Sequence, residues 1–413
     1  MTAIPTIGCY VGFDIVLNTG AWELGVDDLG TGTVLGQEYT TSYTNVGTDV
    51  RALTIQRGRS RELEFYPAGR CTVVLDNRGR DYDPLNLSGP YVTGGVTDVK
   101  PGRLIYVTAT DPTTGTVYRL FTGRINNWAL DYVGGFDAVA SPQSSDLLAD
   151  LARVDVAFTS SADDMGAVAN EIFAQAGVTQ FAYDEGVFQA QAMTWDTNAL
   201  AALRILEVSE QGALYADENG DVIFASAHNY VYELRSRVSQ ATFGSGDLTY
   251  ESISIEYDAD DVVNTATLTR QGGVEQSATD ADSVGVYGTR EYSKTGLANA
   301  TDGDALAIAT HIVSRYADPT VRIKEIMFHP QKNANLMSQA LSRKLRDRIT
   351  VTFSPAGGGS AISQECFITG IKHDIRPQSG MVTTFTLEDA EWSDGWILGD
   401  SSDALGTGAV LAI

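Results

Sequence analysis

Two stretches of this chain pass through the same succession of features, and that repetition constrains the fold more than any single motif. The first runs GRLIYVTAT, a turn region DPTTGT and then YRLFTGRINNWALDYVGGFDAVAS; the second runs DRITVTFSP, a turn region AGGGSA and then QECFITGIKHDIRPQSGMVTTFTLEDA. Phe121-Thr122-Gly123 matches Ile368-Thr369-Gly370, and from Ile105 to Gly123 is 18 residues against 21 from Ile349 to Gly370. Each copy then turns back through glycine, at Gly134 and Gly380. A strand, a Gly-containing turn, a Thr-Gly strand and a return strand, twice in the same order, imply a duplicated β module. Two such modules per chain, assembled three times about an axis, present six similar units in a ring that matches a sixfold partner.

The rest of the pattern is also mainly β. Forty-one Gly, 11 Pro and 18 Tyr, with many Thr and Val, describe short strands joined by tight turns. From Thr48 to Asn77 the sequence alternates, with Cys71, Val73 and Leu75 on one face, and then reaches the turn-like DNRGRDYDP. Strands fit Arg103 to Thr110 and Tyr118 to Trp128, so residues 1–147 read as a first β domain with an N-terminal extension over 1–47. At 413 residues the chain exceeds what one core fills, and more than one domain is expected.

Helical spacing appears next. Ser161 is placed to cap a helix in which Met165, Val168, Ala169, Ile172 and Phe173 share a face, with Gly177 as its stop. A second helix is predicted from about Asn198 to Gln211, with Leu200, Leu203 and Leu206 inward and Gly212 as terminator. A hairpin turning at Asn219-Gly220 completes an acidic α+β module over 148–238. Residues 239–330 read as strands, a long polar loop from Gln271 to Gly285, and a helix from Gly303 to Tyr316 with Leu306, Ala309, Ile312 and Val313 on one face. Residues 331–392 supply the closing strands, Arg348–Phe353, Glu365–Ile375 and Met381–Ala390, and 393–413 a tail that is either a tether or an anchor for a neighbouring protein.

Charge is segregated along this order. The net charge is −25, with 53 Asp and Glu against 28 Lys and Arg. That disfavours tight binding of DNA, RNA or an anionic membrane, since phosphate affinity rests on Lys and Arg. Residues 155–230 hold twelve acidic residues and one basic residue, Arg204, whereas seven arginines lie in 51–80 and seven Lys or Arg in 322–348. These two basic windows are either solvated strand faces or contacts between subunits. Arg57, Arg59, Arg61, Arg70, Arg343, Lys344, Arg346 and Arg348 are the candidate subunit-contact residues.

No catalytic signature is present: G-x-S-x-G, H-E-x-x-H, a Walker loop and a post-strand G-x-G-x-x-G are all missing. His228, His311, His329 and His373 are scattered, without metal-ligand spacing, and read as structural or surface residues. Asp76, Asn77, Asp81 and Asp83 lack the EF-hand spacing and read as turn caps; Asp258, Asp260 and Asp261 read as a solvated turn. Cys9, Cys71 and Cys366 are odd in number and far apart, without a C-x-x-C pairing, so neither a disulfide framework nor a zinc knuckle is readable, and synthesis in a reducing cytoplasm fits best. No export signal or membrane span is expected. Neither catalytic, cofactor nor metal sites are predicted.

Several segments together resemble one family. AGRCTVVLDNRGRDYDPLNLSGPY, VKPGRLIYVTA and LFTGRINNWALDY, followed by DADSVGVYGTREYSKTGL, ALAIATHIVSRYADP, RITVTF, CFITGIKHDI and TTFTLEDA, are similar in kind and order to phage minor tail proteins, the tail-tip or baseplate hubs of long-tailed phages. The resemblance covers most of residues 45–392. It implies a mainly β fold with two tube-like β-barrel domains per chain and smaller α+β decorating domains. It also implies a homotrimer forming a pseudo-hexameric ring between the sixfold tail tube or distal tail ring and the threefold tip or fibre. The implied partners are a distal tail or tail tube protein, the tape measure protein and tip, fibre or receptor-binding proteins, with DNA only as cargo during genome ejection. A non-enzymatic virion protein is thus the leading expectation. A β-rich receptor- or carbohydrate-binding tail protein is the alternative, for which Trp392 and Trp396 are the one Trp cluster; a tail-associated hydrolase is the lesser one.

Overall fold

The structure, a computed structural model, describes residues 4–17, 39–61, 63–257 and 259–390. The tail 393–413, the Trp392/Trp396 pair, Asp258 and much of the extension before Thr48 lie outside these residues.

The chain opens with β1 (Thr6–Leu17) and β2 (Tyr39–Asn45), then β3 (Val50–Gly58) and β4 (Arg70–Asp76). A minimal hairpin of β5 (Val92–Thr93) and β6 (Val96–Thr97) precedes the meander β7 (Leu104–Thr110), β8 (Val117–Val133) and β9 (Asp137–Ser145). β4 shows why these residues form strands: Cys71, Val73 and Leu75 are buried while Arg70 is exposed and Thr72, Val74 and Asp76 lie less deep, the period of two that a half-buried strand requires.

An α+β module follows, with α1 (Leu147–Leu151), β10 (Asp155–Thr159), α2 (Met165–Gln175), β11 (Phe181–Tyr183), β12 (Thr194–Asn198), α3 (Ala199–Glu210), β13 (Ala213–Ala216) and β14 (Val222–Ala225). It has its own core, in which Val168, Ile172, Phe173, Trp195, Leu203, Leu206 and Phe224 meet. The cap of α2 is Asp164, not Ser161: its carboxylate accepts from Ala167 N at 3.0 Å, while the Ser161 N–H goes to Glu171. α3 is capped by Asn198 and ends on Gln211 at φ +55, one residue before the expected glycine.

Two short helices, α4 (Asn229–Tyr232) and α5 (Leu234–Arg237), lead to β15 (Thr242–Phe243) and β16 (Ser252–Glu256). An inserted unit then contains β17 (Thr265–Arg270), β18 (Gln276–Thr279), α6 (Ala281–Tyr287), β19 (Glu291–Leu297) and α7 (Asp302–Tyr316). The stretch expected as a loop from Gln271 to Gly285 therefore holds a strand, paired with β17, and the start of a helix capped by Asp280. In α7 the buried stripe is Ala305, Ile308, Ala309, Ile312, Val313 and Tyr316; Leu306 lies one step round the helix and is 40% exposed, contrary to expectation. The chain closes with β20 (Arg322–Phe328), α8 (Ala334–Ser342), β21 (Arg348–Phe353), β22 (Ile362–Arg376) and β23 (Gly380–Asp389).

Hydrogen bonding joins β2-β1-β7-β8-β9-β4-β3-β22-β23-β20-β16 in one path, with β21 on β22 and β15 on β21. The sheet contains one five-strand unit twice. In the first unit the meander β7-β8-β9 is followed by β4 and β3; in the second, β21-β22-β23 is followed by β20 and β16, all antiparallel. The middle meander strand of each skips one residue against the strand that follows it, Asn126 in β8 and Thr369 in β22. From there each runs to a tip of equal length, ending in the pairs Val133↔Asp137 and Arg376↔Gly380. Superposing the bulges equates Ile125 with Ile368 and Asn127 with Gly370. The Thr-Gly match drawn from the sequence is thus four residues out of register. Ile105, opposite Gly123, corresponds to Ile349, opposite Cys366, so the true spacings differ by one residue despite the bulge at Leu120 and the unequal turns, and the Thr-Gly match rests on residue type and not on position.

Candidate functional site: the seam between the two sheet units

The two units meet where β3 pairs antiparallel with the outer half of β22, from Gly58↔Gly370 to Leu53↔Ile375. Thr54 Oγ1 donates to Asp374 Oδ1 at 2.8 Å across this seam. At its end the backbones come very close: Gly58 has φ +102, and a Cβ there would lie 2.1 Å from Thr369 O. Only glycine fits such a position. His373, opposite Ile55, is buried and shares a hydrogen with Thr383 Oγ1 at 3.1 Å. Burial, reinforced by Arg57, pushes its pKa down to about 3, so the imidazole is neutral.

The basic windows supply the charges around this seam. Arg57 is buried and faces Glu218, on the β13–β14 turn, at 3.4 Å; Lys344, itself exposed, takes the other oxygen of that carboxylate. Arg59 Nη2 donates to Glu388 Oε2 at 2.6 Å and Arg315 of α7 donates to Oε1 at 2.7 Å. Burial alone would raise the Glu388 carboxyl, but the two guanidiniums hold it below the ordinary range. Arg343 packs beside Asp347, which Arg235 grips through two nitrogens, and burial lowers the Arg343 pKa. Arg346 is buried at φ +71 and donates to Asn229 Oδ1, and buried Arg348 pairs with Glu365. Six of the eight candidate residues thus make contacts within the chain, while Arg61 and Arg70 are exposed.

The network pins each accessory module to the seam. Arg204, the one basic residue of the acidic stretch, donates to Glu207 and to Tyr66 O, and Asp146 accepts from Gly69 N at 2.6 Å. Glu210 accepts from Val187 N, Phe188 N and Ala227 N, and burial raises its pKa to about 7. The acceptors Glu218 and Glu388, the Arg235 grip on Asp347 and the Thr54–Asp374 pair escape sequence reasoning because the partners lie 112 to 329 positions apart in the chain. Complementary charge between the acidic stretch and the basic windows was the one available signal.

A cleft of about 90 Å³ beside the seam, lined by Arg59, Tyr292, Arg315 and Glu388 among others, has room for a few waters. Among the described residues no group of three or more His, Cys, Asp or Glu side chains is arranged to hold a metal ion. Nor is any described helix long and apolar enough to cross a membrane. Cys9, Cys71 and Cys366 are buried free thiols.

A mainly antiparallel chain built on two copies of one five-strand unit, with α+β elements set into it, has the fold of phage tail proteins. It is similar to the 43 kDa tail protein of prophage MuSo2 from Shewanella oneidensis, at 13% identity over 94% of this chain and 98% of that one, with a TM-score of 0.57. It is also similar to the tail protein from Neisseria meningitidis MC58, at 14% identity over 93% and 96% of the two chains, with a TM-score of 0.58. No family model and no curated protein matches the sequence.

Proposed function

We propose that this chain is a structural, non-enzymatic protein of a phage or phage-derived tail tip: a homotrimeric hub whose two five-strand units form tube-like barrels. Three chains then make a pseudo-hexameric ring joining the sixfold tail tube, or distal tail ring, to the threefold tip or fibre. The doubled unit carries this reading, since two like units per chain convert threefold symmetry into a sixfold surface. The tail-protein fold of the two solved relatives supports it. In such a ring the accessory modules lie outside, the tape measure protein and DNA pass through, and tip or receptor-binding proteins attach below. Virion assembly then follows synthesis in the host cytoplasm.

The charge of −25 suits a channel that must not hold DNA, because carboxylates lining it repel phosphates and let the duplex slide. A channel wall of mainly Lys and Arg in the assembled ring would contradict that part. Arg61 and Arg70, exposed beside the seam, are the candidate residues proposed to reach a neighbouring subunit.

Light scattering of the full chain tests the hub. The expected particle has three times the 44.2 kDa of one chain, and a monomer at assembly concentrations would overturn the reading.

A further inference from the structure

We infer that neighbouring chains join edge to edge, with β16 of one copy adding as a strand to the outer half of β8 in the next. This deepens the ring proposed above and rests on that reading for the number of copies alone.

The molecule already contains one such joint. β3 is the last strand of the first unit, and it pairs with the outer half of β22, the middle meander strand of the second. The equivalent pieces elsewhere are open. The outer half of β8 pairs with β9 on one side, whereas β7 pairs no further along it than Leu104↔Arg124. β16 pairs with β20 on one side and is the end of the strand path. Among the described residues, the first unit therefore lacks the strand that β3 supplies to the second, and the second unit carries a terminal strand with none beyond it. Exposed strand edges of this kind pair readily with another chain. The two surfaces differ, so their contact is head to tail and propagates until a ring closes.

Register follows from the two units. Thr54 lies opposite Thr72, which lies opposite Gln143; Ser254 lies opposite Glu325, which lies opposite Thr386. The bulge superposition equates Gln143 with Thr386, so Ser254 takes the place of Thr54. By the same superposition Asp131 takes the place of Asp374. The internal Thr54–Asp374 hydrogen bond is thus answered by a hydroxyl and a carboxylate at the corresponding positions, Ser254 of one chain and Asp131 of the next. One step along, the buried Leu53–Ile375 pair is answered by Ile253 and Tyr132, the latter 55% exposed in the single chain. Ile255, 39% exposed, falls opposite Leu130. Hydroxyl with carboxylate and apolar with apolar thus recur at the positions of Thr54–Asp374 and Leu53–Ile375, the kind of cross-strand pairing that stabilises a shared sheet.

The test is a cysteine pair. Ser254→Cys and Asp131→Cys are placed in one full-length chain, whose three native cysteines are buried. Mild oxidation followed by non-reducing electrophoresis should convert most of the protein to linked species up to the size of the assembled ring, with neither single variant doing so. Ser254→Cys with Ala129→Cys, two residues out of register, should link at least tenfold less. Ile253→Cys with Tyr132→Cys tests the adjacent pair should one disulfide be geometrically poor. Light scattering of the reduced protein separates the two ideas. A trimer in which neither in-register pair links overturns this joint and leaves the ring standing. A linked assembly of another size keeps the joint and overturns threefold symmetry, and a monomer without links overturns both.

Discussion

Thr54 and Asp374 stand 320 positions apart in the chain and share one hydrogen bond across the seam between the two sheet units. Their seam ends at Gly58, four residues along the same strand, where the β3 backbone approaches Thr369. Gly58→Ala combines a φ of +102 with a Cβ 2.1 Å from a carbonyl oxygen and should destabilise the protein by about 2–4 kcal/mol. Gly272→Ala, at φ +72 with open space around it, should cost about 1 kcal/mol. Urea unfolding of the two variants checks the contrast; equal losses would show that the seam is not close-packed at Gly58.

Glu388 holds two arginines from different parts of the chain, Arg59 at the end of the seam and Arg315 on α7. Glu388→Gln removes the buried carboxylate that both guanidiniums share and should lower stability by about 3–5 kcal/mol. The triple change Arg59→Met, Arg315→Met, Glu388→Leu should recover most of that loss, because it removes the charges together. A triple variant as unstable as Glu388→Gln would mean the site needs the ions themselves.

How far the sequence discloses this arrangement depends on the range of each interaction. β4, β21 and β23 are readable because burial alternates within a few residues. The caps of α2 and α3 are nearly so, the error at Ser161 arising because three side chains before Met165 compete for one role. α8 went unread: its buried face is only Leu336, Met337, Ala340 and Leu341, too short to show a period. The repeat was visible as an order of elements, but its register is set by bulges at Leu120, Asn126 and Thr369, which leave no mark in composition. Arg57 and Arg59 announced a charged surface, yet burial turned them inward toward Glu218 and Glu388, whose positions depend on the whole fold.

α7 offers a direct check of which face is buried. Ile308 is 1% exposed and Leu306 is 40% exposed. Ile308→Ala should cost about 2–4 kcal/mol through the cavity it leaves, and Leu306→Ala should remain within about 0.5 kcal/mol of the parent. Similar losses from the two substitutions, measured by urea unfolding, would mean that Leu306 is covered.

Asp146 and Glu210 give the protein an acid-favouring stability. Asp146 caps α1 and holds Gly69, and burial raises its pKa to about 7 although its hydrogen bonds from Gly69 N and Leu148 N pull the other way. Glu210 is raised to about 7 for the same first reason. A carboxyl whose folded pKa exceeds its unfolded one binds its proton more tightly when folded. Its contribution to stability is therefore greatest below the unfolded value and falls as pH rises toward about 7. Glu388 has the opposite sign: its depressed pKa contributes stability above the unfolded value, lost as pH falls through the folded one. Together they predict greatest stability at about pH 4 to 4.5, with each raised carboxyl withdrawing about 2–3 kcal/mol between pH 5 and pH 7. Urea midpoints of the wild type should fall between pH 5 and pH 8, and the Asp146→Asn, Glu210→Gln double variant should show a flatter curve from a lower start. A wild-type curve flat over that range, or one equally steep in the double variant, would assign the slope elsewhere and show that both carboxyls ionise in the folded chain as they do in water.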